Sequence, residues 1–240
     1  MNNIKTAYLT IDDAPTIDMV WKAEYLLSKR IPAIWYCCGE ALEKHFDLAL
    51  EVLNLGFIVG NHSYTHRHFS ELSMEDARKE IVTTDKIIDN LYKEAGKNPI
   101  KTFRFPFGDK GNGEDAFGQK DSSKNPFVNE IQKILKNMGY RQPQFKGITY
   151  KKYHEKKMLD DADVYWTYDC REWTMSHQGT ILEELTARMD KVDPDNWLGL
   201  NTPSSSEIIL IHDHVETSHI FKALIEKLLS KNLVFELPEF

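Results

Sequence analysis

Short apolar runs alternate with amphipathic helical patterns along most of this 240-residue chain. The runs cover residues 4–11, 33–38, 57–59, 102–105, 164–168, 208–211 and 233–235. Between most of them, apolar residues recur at steps of three and four, which is the spacing of one helix face. Strands that alternate with helices in this way form parallel βα units, so the pattern predicts an α/β fold of about seven or eight strands, as a barrel or an open sheet.

Length and composition narrow the classes of protein. A chain of this size can bury one core, so we expect a single domain over residues 1–240. The 30 basic and 37 acidic residues are mixed along the chain and give a net charge of −7, which argues against a nucleic-acid-binding surface. The three cysteines, Cys37, Cys38 and Cys170, contain no CxxC pair and indicate no disulfide framework.

The hydrophobic segments are too short for membrane insertion. No stretch reaches the ~18 consecutive apolar residues that a transmembrane helix needs. The first residues run directly into an apolar strand and lack the hydrophobic segment of a secretory signal, so we expect a cytoplasmic protein.

Polar and charged residues follow the predicted strands at the points where the strands end. They are Asp12, Asp13, His62, His66, Arg104, Asp169 and His212. The carboxyl ends of parallel strands meet at one rim of an α/β barrel, and catalytic groups gather there. This clustering favours a catalytic site over scattered structural polar residues.

Two histidines and one acid on this rim have the composition of a metal site. His62 and His66 are four residues apart, so on a helical turn both rings would reach one cation. The pair alone is ambiguous, because partly buried histidines are common. With Asp13 it makes a three-ligand set that leaves a coordination position open, as in catalytic zinc sites. We expect Zn²⁺, with Co²⁺ or Ni²⁺ as alternatives.

The remaining rim residues suit proton transfer during amide hydrolysis. Asp12, next to the ligand Asp13, is the candidate general base for a metal-bound water. His212, at the end of another strand, is the candidate general acid for the leaving nitrogen. Arg104 can pair with Asp12 and hold its orientation. Backbone N–H groups of residues 106–108 are candidates for stabilising the oxyanion.

Five segments resemble, in order, the five motifs of the polysaccharide deacetylase family, also called the NodB-homology or carbohydrate esterase family 4 group. They are residues 10–15, 61–66, 104–108, 166–173 and 209–213. The first resembles TFDDGP, the second the family's histidine motif, the third RxPYG, the fourth WxxDxxDW and the fifth LxH. The resemblance implies a distorted (β/α) barrel of about seven parallel strands of the NodB-homology type.

The resemblance also implies roles that the strand ends alone do not specify. Asp169 and Glu172, in the fourth motif, would shape one wall of the site and orient the acid histidine. Phe107, in the third motif, would line the substrate groove. Trp166 and Trp173 are candidates for a flat sugar-binding face, with the alternative that at least one of them belongs to the core.

Three positions depart from the family's motifs. Ala14 replaces a glycine, which we expect to strain or redirect the turn after the two acids. Phe107 replaces a tyrosine, which leaves a backbone contact to the oxyanion intact. Glu172 replaces an aspartate, so its reach to His212 or Arg104 is open.

Two segments have no counterpart in a minimal family member. Residues 109–126 are rich in Gly, Asp, Asn, Lys and Ser and show no period, which predicts a surface insertion, either a lid or a loop without a catalytic part. The charges and aromatics of residues 139–160 fit neither the helix nor the strand period. We expect substrate choice to depend on these two segments.

The resemblance and the rim residues together predict a metal-dependent hydrolase. It would remove N-acetyl groups from an N-acetylated sugar in a polysaccharide, an oligosaccharide or a lipid-linked glycan. The expected partner is this carbohydrate substrate, and the sequence leaves the oligomeric state open. One alternative is a deformylase or another non-peptide amide hydrolase on the same scaffold. The other is a non-catalytic carbohydrate-binding protein.

Overall fold

The apolar runs of the sequence form the strands of a parallel sheet. The computed structural model describes residues 5–113, 125–192 and 199–240. Its strands are β1 Lys5–Ala14, β2 Ala33–Cys37, β3 Ile58–Asn61, β4 Tyr168–Asp169, β5 Glu207–His212 and β6 Leu233–Phe235. They pair in the order β3-β2-β1-β5-β4, and β6 pairs with the first residues of β1. All these pairings are parallel, as the alternation with helices predicts.

Backbone hydrogen bonds close this sheet into a ring. The predicted strand at residues 102–105 forms only isolated bridges, but it occupies a strand position between β3 and the segment that leads into β4. The N–H of Asn61 donates to the carbonyl of Thr102 at 2.9 Å, and the N–H of Val164 donates to that of Phe103 at 2.8 Å. The two ends of the sheet therefore meet, and the predicted distorted barrel is confirmed.

Helices follow the strands on the outside of the ring. They are α1 Met19–Ser28, α2 Gly39–Lys44, α3 Phe46–Asn54, α4 Met74–Glu94, α5 Pro126–Asn137, α6 Lys151–Glu155, α7 Thr174–Gln178, α8 Leu182–Arg188 and α9 Phe221–Leu229. Short 3₁₀ turns lie at Phe69–Glu71, Pro106–Gly108 and Ser218–Ile220. None of the helices within the described ranges is long and apolar enough to cross a membrane.

Alternate residues of β1, β2, β3 and β5 belong to two different hydrophobic clusters. One cluster contains Leu9, Trp35 and Ile209 and packs under the helices. The other contains Tyr8 and Tyr36 and fills the interior of the ring. This two-residue period is the normal consequence of strand geometry, and it explains why the strands read as continuous apolar runs.

Residues 139–160 help to fill the barrel, which is the reason that no period was visible in them. Phe145, Ile148, Tyr150 and Tyr153 all belong to the interior cluster, and their side chains are almost fully buried. The described contacts of these side chains are structural, and a part of the segment in substrate choice stays a prediction.

The predicted insertion at residues 109–126 is described only at its two ends, and residues 114–124 lie outside the described part of the chain. The sequence predicted a surface position for the whole segment, but its first two residues, Asp109 and Lys110, are buried. Asp109 accepts hydrogen bonds from the backbone and hydroxyl of Ser70, and Lys110 forms ion pairs with Asp161 at 2.8 Å and Asp163 at 3.1 Å.

A buried lysine on α1 connects this helix to the end of β5. The buried face of α1 comprises Met19, Lys22, Ala23 and Leu26. The Nζ atom of Lys22 lies 2.6 Å from Oδ1 of Asp213, and the two side chains are 1% and 0% exposed. The other oxygen, Oδ2, accepts a hydrogen bond from the N–H of Thr16 at 2.7 Å. The pair therefore joins α1, the loop after β1 and the loop after β5 below the rim.

Replacing Lys22 by methionine is expected to destabilise the fold strongly. Lys22→Met keeps the length of the side chain but leaves the Asp213 carboxylate buried without its cation, which typically costs about 3 to 5 kcal/mol of unfolding free energy. The exposed pair of Lys44 and Glu40 is the control, because Lys44→Met should cost less than about 1 kcal/mol. Urea unfolding of both variants measures the difference, and equal losses would contradict the assignment.

Candidate active site

The side chain of Asp12 points into the barrel, where a buried arginine holds it. Nη1 of Arg104 lies 2.8 Å from Oδ1 of Asp12 and 2.8 Å from the hydroxyl of Thr10. Nε of the same arginine donates to the carbonyl of Val164 at 3.2 Å. Arg104 is fully buried, and its guanidinium lies 4.5 Å from the centre of the Tyr36 ring. The predicted pairing of Arg104 with Asp12 is present, and Asp12 has one fixed orientation.

A bulge in β1 turns the next residue in a different direction. In a regular strand Asp13 would point toward the outer helices, on the side opposite to Asp12. The pairing of β1 with β2 shifts register between Ile11 and Ala14, and Asp13 has a φ of 62°. Bulges re-aim side chains in this way near active sites. Ala14 remains paired with Cys37 and has no positive φ, so this position does not need the glycine of the family's motif. The positive φ lies at Asp13 instead.

The two histidines of residues 61–66 meet at Asp13, but not through the expected helical turn. The segment is a loop in which Ser63 and His66 have φ values of 66° and 57°. Nε2 of His62 lies 3.3 Å from Oδ1 of Asp13, and Nε2 of His66 lies 2.9 Å from the same oxygen. The three predicted metal ligands are therefore together, by a loop geometry that their spacing did not reveal.

Neighbouring polar groups hold this loop from both sides. Glu80 on α4 accepts hydrogen bonds from the backbone N–H groups of Tyr64 and Thr65 at 2.8 and 2.7 Å. Nδ1 of His62 lies 2.8 Å from the carbonyl oxygen of Arg104. A carbonyl only accepts, so Nδ1 carries the proton and Nε2 presents its lone pair toward Asp13.

The donor set fits a divalent metal such as zinc. Oδ1 of Asp13 is buried and makes no hydrogen bond within the described residues, although two imidazole nitrogens face it. The ligand atoms of Asp13, His62 and His66 all lie within 4.8 Å of one another. One carboxylate and two imidazoles with an open side are typical of catalytic zinc. A buried oxygen that makes no hydrogen bond needs an explanation, and a metal ion bound between Asp13 and the two imidazoles would satisfy Oδ1.

The neighbouring charges favour the ionised form of Asp13 and the protonated form of His62. Burial raises the pKa of Asp13, but His66 and the hydrogen bond from His214 outweigh it and hold the pKa well below its usual range. Burial lowers the pKa of His62, whereas the carboxylates of Asp12 and Asp13 raise it by more. Asp13 is therefore a carboxylate, as a metal ligand must be.

His212 lies beside Asp12 because β1 and β5 are paired in register, residue 12 with residue 212. Oε1 of Glu172 lies 2.9 Å from Nδ1 of His212 and accepts the backbone N–H of the same residue at 2.5 Å. Burial lowers the pKa of His212, but the adjacent Glu172 carboxylate raises it to about 10 overall. Glu172, which replaces the aspartate of the family's motif, therefore still contacts His212. Nε2 of His212 is left to face the site.

Asp169 acts on the turn that carries Glu172. Its Oδ1 accepts the N–H of Arg171 at 2.7 Å, and its Oδ2 accepts the indole N–H of Trp173 at 3.3 Å. Burial raises the pKa of Asp169. The resemblance implied that both acids orient His212; Glu172 contacts the histidine directly, and Asp169 shapes the loop that carries Glu172.

The three aromatic candidates occupy different environments. Trp166 is 7% exposed, and its ring stacks on Tyr165 with centroids 4.6 Å apart, so it belongs to the core and does not offer the exposed face that a sugar needs. Trp173 is half-buried. Phe107 is 46% exposed with a φ of 57°, and its ring stacks on His68 at 3.9 Å. Phe107 and Trp173 remain candidates for substrate contact.

The 3₁₀ turn at Phe107 limits which N–H groups can stabilise an oxyanion. Pro106 has no N–H, and the N–H of Gly108 donates to the carbonyl of Phe105 at 3.1 Å. The N–H of Phe107 is the remaining candidate among residues 106–108.

His214 is a site residue that the motifs did not predict. Its Nε2 lies 2.7 Å from Oδ2 of Asp13, the oxygen that does not face His62 and His66. The position two residues beyond His212 was a usable signal, because the end of β5 is already at the rim.

A groove of about 640 Å³ begins at Asp13 and His66. Its walls come from α2 and from the loops after β1, β3 and β5, and include Ile17, Lys44 and Tyr64. Neither Phe107 nor Trp173 lines it in the described part of the chain, although the Phe107 ring lies 4.5 Å from the His66 ring. The groove provides room for a substrate larger than the reacting group.

Comparisons with known proteins agree with this geometry. A family model described as polysaccharide deacetylase matches residues 2–142. A peptidoglycan-N-acetylglucosamine deacetylase of Bacillus cereus is 30% identical over 102 residues, which are 42% of this chain and 36% of that protein. A chitooligosaccharide deacetylase of Rhizobium leguminosarum bv. trifolii is 31% identical over 100 residues, 41% of this chain and 46% of that protein. The matches thus span less than half of each relative's length.

The fold agrees with that of a solved structure over almost the whole chain. A family 4 carbohydrate esterase from Streptomyces lividans, in complex with acetate, superposes with a TM-score of 0.62 and 18% identity, over 97% of this chain and 92% of that one. At this identity the likeness concerns the fold. Because the family model covers more than half of the sequence, and because the matched residues include Asp13, His62 and His66, this chain belongs to the polysaccharide deacetylase family.

Proposed function

We propose that this chain is a zinc-dependent N-deacetylase that acts on an N-acetylated sugar in a polysaccharide, an oligosaccharide or a lipid-linked glycan. The observation that carries the proposal is the grouping on one rim of a three-ligand set, an arginine-paired carboxylate and a glutamate-bound histidine. The two curated relatives are named as deacetylases of N-acetylglucosamine in peptidoglycan and of chitooligosaccharides, which supports an N-acetylated sugar as the substrate class.

Asp13, His62 and His66 are the residues that would hold the metal. When bound, a zinc ion supplies Lewis acidity and lowers the pKa of a water molecule. The chain's own contribution is to fix the ligands: the Arg104 carbonyl sets the tautomer of His62, and the bulge in β1 aims Asp13. Such supporting contacts commonly determine the affinity of a site.

Asp12 has the geometry of a general base. Arg104 occupies Oδ1, and Oδ2 lies 3.7 Å from Nε2 of His62, so this oxygen faces the metal ligands. A proton taken from the attacking water would go to Oδ2, while the arginine prevents the carboxylate from rotating. The N–H of Phe107 would donate to the oxygen that becomes negative when the amide carbonyl is attacked.

His212 has the protonation state of a general acid. Its pKa of about 10 keeps the ring protonated at neutral pH, and Glu172 occupies Nδ1, so the proton on Nε2 is available to the leaving amine. An amine leaves poorly without such a proton, which gives His212 a role that the metal ligands cannot fill.

Loss of either proton-transfer residue should abolish turnover. We expect the zinc- or cobalt-loaded protein to release acetate from N-acetylglucosamine oligomers, and Asp12→Asn and His212→Ala each to reduce kcat by about 100-fold or more. Acetate is measured enzymatically, and formate release from N-formylated analogues is measured in parallel to test the deformylase alternative. His219→Ala, at an exposed histidine, is the control.

Two outcomes would reject the assignment. Activity equal to wild type in both variants would remove the proton-transfer roles. No release from a broad panel of N-acetylated sugars, with metal bound at one equivalent, would remove the deacetylase function and favour the carbohydrate-binding alternative.

Metal binding should depend on His66 and not on another histidine nearby. We expect His66→Ala to weaken Zn²⁺ binding by at least about 100-fold, because one of three protein ligands is lost. His68→Ala is the matched control, since His68 lies two residues away and contacts Asp109 and Phe107 instead. Titration of the metal-free protein against a chromophoric chelator measures both affinities, and an equal loss in the two variants would contradict the ligand set.

Replacing Glu172 should change the pH profile of the reaction. The carboxylate raises the pKa of His212, so Glu172→Gln should lower it. A general acid works while protonated, and activity is lost as the pH rises through its pKa. The alkaline limb of kcat/KM should therefore move to lower pH in Glu172→Gln and stay in place in Glu183→Gln, at an exposed glutamate. An unchanged limb would show that Glu172 does not tune the acid.

A further inference from the structure

The two oxygens of the Asp13 carboxylate have separate partners. Oδ1 faces the imidazole nitrogens of His62 and His66, and it makes no hydrogen bond within the described residues. Oδ2 lies 2.7 Å from Nε2 of His214. A carboxylate whose second oxygen is held in this way can offer only the first oxygen to an ion in the ligand set.

Backbone hydrogen bonds and one ring contact fix the position of His214. Its backbone carbonyl accepts hydrogen bonds from Nζ of Lys22 at 3.2 Å and from the hydroxyl of Ser218 at 2.9 Å. Its ring stacks on that of His212, with centroids 5.1 Å apart and planes inclined by 28°. The N–H of Asp213, between the two histidines, donates to the carbonyl of Asp12 at 2.8 Å. The position of the imidazole therefore depends on contacts to α1, to β1 and to its own loop.

We propose that His214 is a positioning residue for the metal site, which holds Asp13 through Oδ2 so that Oδ1 is presented to the ion together with His62 and His66. The inference rests on the metal site of the proposed function. Without His214, Asp13 is free to rotate about its side-chain bonds or to approach the ion with both oxygens, and each change makes the ligand set less well ordered.

The geometry separates this role from that of a fourth ligand. The ligand atoms of Asp13, His62 and His66 lie within 4.8 Å of one another, and no atom of His214 belongs to this group in the described part of the chain. Nε2 of His214 instead points at the oxygen of Asp13 that the other two histidines do not face. His214 therefore acts on the ion only through Asp13.

The test measures the affinity of the metal-free protein for Zn²⁺ by competition with a chromophoric chelator. We expect His214→Ala to weaken binding by about 10- to 100-fold, the usual effect of losing a residue that orients a ligand. His214→Gln should recover most of the affinity, because its amide N–H can reach the position of Nε2 and donate to Oδ2. His66→Ala should lose more than His214→Ala, and His219→Ala, at an exposed histidine in the same loop, should lose nothing.

Three results would overturn the proposal. The first is wild-type affinity in His214→Ala, with an unfolding temperature of the metal-free variant that matches wild type. The second is a loss in His214→Ala as large as in His66→Ala without recovery in His214→Gln, which would make His214 a ligand. The third is wild-type protein that binds no Zn²⁺, which would reject the metal site and the proposed function together. The first result, obtained with a wild type that binds Zn²⁺ and releases acetate, would reject the positioning role alone.

Discussion

The site depends on one buried arginine. The side chain of Arg104 binds the Asp12 carboxylate inside the barrel, and its backbone carbonyl binds Nδ1 of His62. One residue thus orients both the candidate base and a candidate metal ligand. A buried guanidinium is costly unless it is paired and hydrogen-bonded, and here Thr10 and the carbonyl of Val164 supply the additional contacts. The closure of the ring at residues 102–104 is therefore tied to the chemistry of the rim.

Two adjacent acids take different roles because the strand that carries them is irregular. Asp12 keeps the regular orientation into the barrel, and Asp13 leaves it through the bulge and its positive φ. Positive φ values also occur at Ser63, His66 and Phe107, all around the same site. Unfavourable backbone conformations persist where surrounding contacts determine them, and they are frequent at functional sites. The barrel supplies these contacts, so the arrangement of the rim depends on the fold beneath it.

The residues at strand ends were predictable from the sequence, because apolar runs mark the strands and parallel strands end on one rim. This holds for Asp12, Asp13 and His212, and the five motifs added the expectation of a barrel. The loop geometry of residues 61–66 was not predictable, since a spacing of four does not distinguish a helical turn from a loop with two positive φ angles.

Other features escaped prediction because they depend on tertiary contacts. Lys22 lies on the buried face of α1 only because Asp213 is opposite, and a lysine is normally assigned to the exposed face of a helix. Residues 139–160 have no period because their aromatic side chains fill the barrel from a largely irregular backbone. The position of His214 just beyond β5 indicated that it lies near the rim, but not that it contacts Asp13, which is 201 positions away in the sequence. Pattern and propensity carry no information about such pairs.

The balance of charge on the rim indicates why one position is left for a cation. Asp12 is compensated by Arg104, and Glu172 by His212, whose raised pKa keeps it protonated at neutral pH. Within the described residues, the Asp13 carboxylate is paired with the imidazoles of His62, His66 and His214, and its unsatisfied Oδ1 is the acceptor that a cation would complete. A divalent ion bound by a single carboxylate retains net positive charge, which stabilises negative charge developing on a nearby carbonyl oxygen. A second free carboxylate beside the ion would cancel this positive charge. The pairing of Asp12 with Arg104 therefore preserves the net positive charge at the ion and also fixes the orientation of the base.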